Sequence, residues 1–170
     1  NPVNFFWKLM KINSSLDSFK IRDKNFSLVS FSPETLIYKK GNKIITKPIA
    51  GTLKKNKKIN KIEALNFFRN NEKETKEHNM IVDMERSDLS KICKPGSVKI
   101  LKKKYVEEYK HLFHYVTSIE GILKKNTTPK NIIKSMMPGG SVIGCTKIRT
   151  LELLKHQETE DRNILKGSFG

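Results

Sequence analysis

Two glutamates and a histidine stand within five residues of one another in the stretch KETKEHNMIVDMERSDL, Lys73 to Leu89. At 100° per residue on a helix, Glu74, Glu77, His78, Ile81, Glu85 and Asp88 share about one third of the circumference. Two carboxylates one turn apart can converge on a hard cation such as Mg²⁺, which takes oxygen ligands and keeps several of its waters. Lys73 and Lys76 stand beside the same glutamates. Helix surfaces routinely carry such pairs, so a solvated face competes with a metal site, and spacing alone favours the solvated face.

Two glycine-containing loops could also do chemistry: PIAGT, Pro48 to Thr52, and PGGSVIG, Pro138 to Gly144. Each exposes backbone N–H groups and offers a hydroxyl, Thr52 or Ser141, as anion-binding concavities do. Either by itself is an ordinary turn. Two in one chain beside an acidic helix suggest a carboxylate substrate held by backbone amides and a metal. A third candidate is His114 in HLFHYVTSIEG. It is placed either for acid–base work near neutral pH or as a hydrogen-bonded structural residue of a strand.

The elements that must position these groups mix strand and helix patterns. Residues 26–52 read as strand, turn, strand, with Lys40-Gly41-Asn42 as the hairpin turn and Ile44, Ile45 and Ile49 as β-branched strand residues. Pro48 and Gly51 then predict an irregular loop where the backbone can approach a ligand. From Lys61, Ile62, Leu65, Phe68, Ile81 and Met84 recur near helical spacing, predicting one helix or a broken pair as far as Ser90. Pro95-Gly96 predicts a turn, Val98 to Ile100 a short strand, and Leu112 to Leu123 a second extended segment. Thr128 followed by Pro129 predicts a helix start, and the helix ends at Pro138 to Ser141. A last helix follows, with Ile148, Leu151 and Leu154 on its buried side. Strands and helices do not alternate strictly, so the fold class is α+β, with antiparallel sheets and flanking helices.

Composition narrows the function classes. The 170 residues suffice for one domain with a real core. The formal net charge is +17, but only five of the 34 basic residues are Arg, and the lysines are spread along the chain. The densest cluster, Lys54 to Lys61, has no interleaved aromatic residue on which a base could stack. A solvated basic loop is therefore expected, and a nucleic-acid-binding module is the opposing class. Cys93 and Cys145 belong to no metal-binding spacing, and no apolar run approaches the length of a membrane span. A reduced, soluble chain, cytoplasmic in character and acting away from nucleic acid and membrane, is the expectation.

Six motifs, in order, resemble one family. SPE (Ser32 to Glu34), PIAGT, KETKEHNMIVDMERSDL, GSV (Gly96 to Val98), HYVTSIEG (His114 to Gly121) and PGGSVIGCTKIR (Pro138 to Arg149) look like the catalytic region of chorismate-utilising enzymes. That family includes anthranilate synthase component I, aminodeoxychorismate synthase component I, isochorismate synthase and salicylate synthase. The resemblance covers nearly all 170 residues. It implies part of the chorismate-binding fold over residues 1–170, with Mg²⁺ as cofactor and chorismate as substrate. It also implies ammonia as a second reactant, delivered by a glutamine amidotransferase subunit. Glu77 matches the Mg²⁺ ligand and Glu74 the acidic position that supports it. Gly51 and Thr52 match the loop at the ring carboxylate, and Gly140 with Ser141 the second substrate loop. Glu34 matches the acid near the departing C4 hydroxyl, for which a raised pKa is expected. His114 matches the active-site histidine.

Within the family, the PGGS loop and the MIVDM and SDL segments resemble aminodeoxychorismate synthase, whose product leads to p-aminobenzoate and folate. Ala50 points the other way. Many such enzymes carry a lysine there, whose amine can attack the ring; alanine is the anthranilate synthase residue. Ile143, Thr146 and Leu165 replace the family's usual Ser or Thr, Pro and Tyr. The family also continues past this end with an Arg and a second Mg²⁺-ligating glutamate, so a chain ending at Gly170 is expected to be inactive by itself.

Overall fold

The computed structural model describes residues 1–12, 15, 17–144 and 146–160. Helix α1 (Pro2–Ile12) leads into strands β1 (Asp17–Arg22) and β2 (Ser27–Ser32), which pair as a two-stranded antiparallel sheet. Stacking of Phe6 on Phe31, ring centroids 5.4 Å apart, fastens the helix to that sheet. The rest is a five-stranded antiparallel sheet of β3 (Thr35–Lys40), β4 (Lys43–Lys47), β5 (Ile49–Lys54), β6 (Lys99–Glu108) and β7 (Leu112–Ile122). The helices are α2 (Lys61–Asn70), α3 (Glu72–Ile92), α4 (Pro129–Met136), α5 (Gly140–Ile143) and α6 (Lys147–Gln157). The expected α+β class is thus observed.

Strand β7 is the axis. Both β5 and β6 pair with residues 113–116 of β7, and both β4 and β6 with residues 119–120, so β6 takes one edge and β5 followed by β4 the other. Flanked on both edges, β7 is buried continuously from Phe113 to Gly121. Its alternation divides the side chains by face. Phe113, Tyr115, Thr117 and Ile119 point one way, and His114, Val116, Ser118 and Glu120 the other. The first set packs beneath the helices. Ala64 and Phe68 of α2 meet Val106, Phe113 and Tyr115. Val82, Leu89 and Ile92 of α3, with Ile132 and Met136 of α4, meet Ile44 and Ile119. Burying each such large side chain contributes about 1.5–3 kcal/mol.

Local chemistry sets the boundaries. Gly41, at φ +61°, makes the β3–β4 hairpin turn as expected. The helical run from Lys61 is a broken pair. Asn71 closes α2 through its N–H on Phe67 O and caps α3 through its side chain on Glu74 N, at 3.2 Å. Thr128 and Asn131 form a reciprocal cap on α4, with Pro129 at the first position.

Three expectations need correction. The segment around Gly51 is strand β5, its register shifted between Ile49 and Thr52, so the irregularity is a bulge within a sheet. Strand β6 runs ten residues, far past Ile100. Its consecutive lysines 102–104 hide the alternation, and it pairs only with β7, an edge position where charged side chains suit the solvent side. A bulge lies within it, where Lys104 takes φ +45°. Helix α6 has no buried residue: Ile148 and Leu151 are exposed and Leu154 half-buried. Cys93 is a buried free cysteine, while Cys145 and Leu165 lie outside the described residues.

Candidate active site

Strand β5 collects most of the candidate residues, each through a different neighbour. From the β2–β3 turn, Glu34 accepts the Ile49 N–H on Oε1 at 3.1 Å. Its Oε2 accepts the Ser141 hydroxyl at 3.0 Å, which brings the second glycine loop to the same carboxylate. Burial pushes the Glu34 carboxyl up from its ordinary value, against the lowering effect of these two donors.

Ala50 is buried, and its carbonyl lies 3.0 Å from His78 Nδ1. A carbonyl only accepts, so Nδ1 carries the proton and Nε2 accepts the Thr117 hydroxyl at 2.7 Å. Thr117 Oγ in turn accepts the Lys104 N–H at 3.0 Å. His78 is fully buried, and burial pushes its pKa down, so it is a neutral strut between α3, β5 and β7. It was legible in the sequence only as one member of an acidic helix face.

Gly51 adopts φ +111°, and a Cβ built there would meet Glu74 Oε2 and the Phe68 ring at 3.0 Å and Tyr115 at 3.1 Å. Only glycine combines that backbone with so close a carboxylate. Thr52 sits directly across from His114, its hydroxyl 3.0 Å from Nδ1. Burial lowers the His114 pKa, opposed by the Gly51 backbone and the charge of Glu107. The imidazole is therefore neutral at pH 7.

Helix α3 carries the remaining carboxylates. Glu74 is half-buried and Glu77 exposed, and neither carboxylate is hydrogen-bonded or ion-paired among the described residues. Lys76, whose neighbourhood suggested a neutralised face, pairs with Glu72 instead. Glu85 and Asp88 are buried. Glu85 accepts the Gly140 N–H at 3.2 Å and the Thr46 hydroxyl at 3.3 Å, and burial pushes its pKa up. Gly140 thus spends its amide on Glu85, leaving Ser141 as the residue of that loop that reaches the Glu34 side. Gly140 also has no room for a side chain, since a Cβ would fall 1.7 Å from Met84 Cε. Asp88 pairs with Lys91 at 2.8 Å and with Lys147 at the start of α6. The roles of Glu85 and Glu107 were not foreseen; the available signal for Glu85 was its place on the same helical stripe as Ile81 and His78.

The site therefore joins Glu34 to Ser141, Thr52 to His114, and Gly51 to Glu74, all along β5. Glu77 stands one turn beyond Glu74 and faces solvent. Among the described residues, no group of three or more His, Cys, Asp or Glu side chains surrounds a common point.

A family profile described as chorismate binding enzyme matches residues 1–170. The chain belongs to the chorismate-binding enzymes. It is 36% identical over 171 residues to aminodeoxychorismate synthase component 1 of Bacillus subtilis (strain 168), covering all of this chain and 36% of that protein. It is 38% identical over 144 residues to anthranilate synthase component 1 of Thermus thermophilus, covering 84% of this chain and 31% of that protein. The crystal structure of anthranilate synthase component I from Streptococcus pneumoniae TIGR4 superposes with a TM-score of 0.85 at 30% identity, over 95% of this chain and 35% of that one. The chain thus spans about a third of the length of these chorismate-binding relatives. No helix among the described residues is long and apolar enough to cross a membrane.

Proposed function

We propose that this chain carries the acid, the histidine and the first metal-binding carboxylates of a component I synthase that aminates chorismate to 4-amino-4-deoxychorismate, with ammonia supplied by a glutamine amidotransferase. The observation that supports it most is the Glu34 carboxyl, half-buried and held between the Ile49 N–H and the Ser141 hydroxyl. A carboxyl whose pKa is raised keeps its proton closer to neutrality and can give it to a leaving hydroxyl. In the net reaction ammonia forms the new C–N bond at C4, the C4–O bond breaks and the hydroxyl leaves as water with the Glu34 proton, and the proton then lost by the new ammonium restores Glu34. His114, neutral and oriented by Thr52 through Nδ1, is the group nearest to hand for moving a proton on a bound substrate.

The donor chemistry of α3 fits Mg²⁺, which commonly takes one or two carboxylates and retains water. Glu77 and Glu74 would hold it, being uncommitted in a chain rich in lysine. When bound, the ion would offset the negative charge of the substrate's ring carboxylate.

A second reading, anthranilate synthase component I, is favoured by Ala50. Its side chain has no amine, and its carbonyl is fixed on His78, so this position supplies no covalent nucleophile. The identities to the two kinds of relative, 36% and 38%, do not choose between the readings. Product analysis does. The full-length protein is incubated with chorismate, Mg²⁺ and ammonium, and the products are separated by chromatography. The reading predicts 4-amino-4-deoxychorismate; anthranilate with equimolar pyruvate would replace it by the second, and unchanged chorismate would sink both.

A further inference from the structure

Strand pairing sets three side chains in a row across the sheet: Thr52 on β5, His114 on β7 and Glu107 on β6, each opposite the next. The Thr52 end of the row belongs to the site already described; the Glu107 end does not. Both Glu107 oxygens are occupied by phenols. Tyr105 donates to Oε1 and Tyr109 to Oε2, each at 3.1 Å. Burial first, then the charge of Glu107, pushes both phenols up to about 12, so they remain donors throughout the working range. With both oxygens taken, Glu107 is poorly placed to move protons; it supplies a fixed charge and two fixed acceptors.

Tyr109 makes two further contacts. Its ring meets His114 edge-to-face, centroids 5.3 Å apart at 74°. Its hydroxyl is also 3.4 Å from the Pro33 carbonyl, the residue before Glu34. One phenol therefore touches the histidine of β7 and the β2–β3 turn that carries the acid, two groups that arise 80 residues apart (34 against 114).

We propose that Tyr109, seated by Glu107, is a positioning residue that sets His114 and the Glu34 turn at a fixed separation for the reaction. It deepens, and rests on, the reading of Glu34 and His114 as working groups in chorismate chemistry. A purely structural tyrosine would act through its ring, which Tyr109→Phe retains. The positioning role resides in the hydroxyl, which Tyr109→Phe removes, and in the Glu107 charge, which Glu107→Gln removes. The groups facing His114 are Glu107 from β6, Tyr109 just past its end, and from β5 the Thr52 hydroxyl and the Gly51 backbone.

The test uses the full-length protein with chorismate, Mg²⁺ and ammonium. Tyr109→Phe is expected to lower kcat about tenfold with KM changed less than about twofold, the pattern of lost alignment rather than lost binding. Glu107→Gln is expected to move the acid limb of kcat/KM to lower pH, because a negative charge that favours imidazolium is gone. The same downward shift is expected in the His114 titration followed by NMR of ¹³C-labelled histidine, assigned with His114→Asn. Melting temperatures report folding, and if Tyr109→Phe does not fold, Glu107→Gln decides. An unchanged kcat in the first variant together with an unchanged His114 midpoint in the second overturns the proposal. If the wild type leaves chorismate unchanged, the functional reading fails separately, and the NMR titration alone decides this one: an unmoved midpoint overturns it.

Discussion

Helix α3 carries two acidic pairs, and the protein treats them in opposite ways. Glu74 and Glu77, near its start, have no ion pair or hydrogen bond on their carboxylates among the described residues, and Glu77 faces solvent. Glu85 and Asp88, eleven residues further on and about 16 Å along the axis, are buried at 2% exposure each, Glu85 hydrogen-bonded and Asp88 ion-paired. Burying a charge is costly unless it is paired or neutralised. Asp88 is paired with two lysines; Glu85 is met by the Gly140 N–H and the Thr46 hydroxyl, and burial raises its pKa. The difference separates two jobs. The buried pair anchors the second glycine loop and α6 to the helix; the open pair is left for a ligand. His78 lies between them and fixes the helix to β5.

The largest effect expected from breaking this contrast is at Asp88. Asp88→Ala leaves Lys147, whose side chain is only 14% exposed, without its carboxylate, and such removals cost about 3–5 kcal/mol. The urea midpoint of the full-length protein should fall accordingly. Adding Lys147→Met should return part of the loss, because the stranded charge is then gone. An unchanged midpoint in the single variant would mean that the pair anchors nothing.

At the other end the expected signature is reversed. Glu77→Gln should leave the urea midpoint within about 0.5 kcal/mol of wild type, as an exposed substitution does. Turnover of chorismate should drop by about 10- to 100-fold, with a higher Mg²⁺ requirement. A variant that destabilises without altering the Mg²⁺ dependence would return Glu77 to the solvated surface that spacing alone favoured.

How much of this was legible follows the same division. The hairpin at Gly41, the Thr128 cap and the helical run of α2 and α3 are written in local residue types, and the sequence showed them. The order of six motifs also carried the family, which neither charge nor periodicity could. Helical spacing put His78, Glu85 and Asp88 on one face with Glu74 and Glu77, but could not say which of these carboxylates is buried. That depends on β4, β7 and the Gly140 loop, brought against the helix from up to 55 residues away. Strand β6 was read short because consecutive lysines carry no period-two signal, although an edge strand tolerates them. The apolar stripe of α6 was read as core, yet Ile148 is 76% exposed. A hydrophobic period shows which face is apolar; it does not supply the surface that covers it.

The smallest effect, and the most specific to the buried half, is in pH dependence. The folded protein raises the Glu85 pKa above the ordinary carboxylate value, and that of Glu34 likewise. Below the unfolded value both states hold the protons, so nothing is lost. As pH rises past it, the unfolded chain releases its protons first, and stability declines until the folded groups also ionise, by at most about 1.4 kcal/mol per pH unit for each group. Glu85→Gln keeps an acceptor for the Gly140 N–H and cannot ionise. Its urea midpoint should therefore match wild type in acid and exceed it increasingly as pH rises through that window. Glu34 remains to give the variant a shallower decline of the same sign. A gap between the two proteins that stays constant with pH would show that Glu85 is ionised in the folded state throughout, and that Gly140 and Thr46 hold a charge rather than a carboxylic acid.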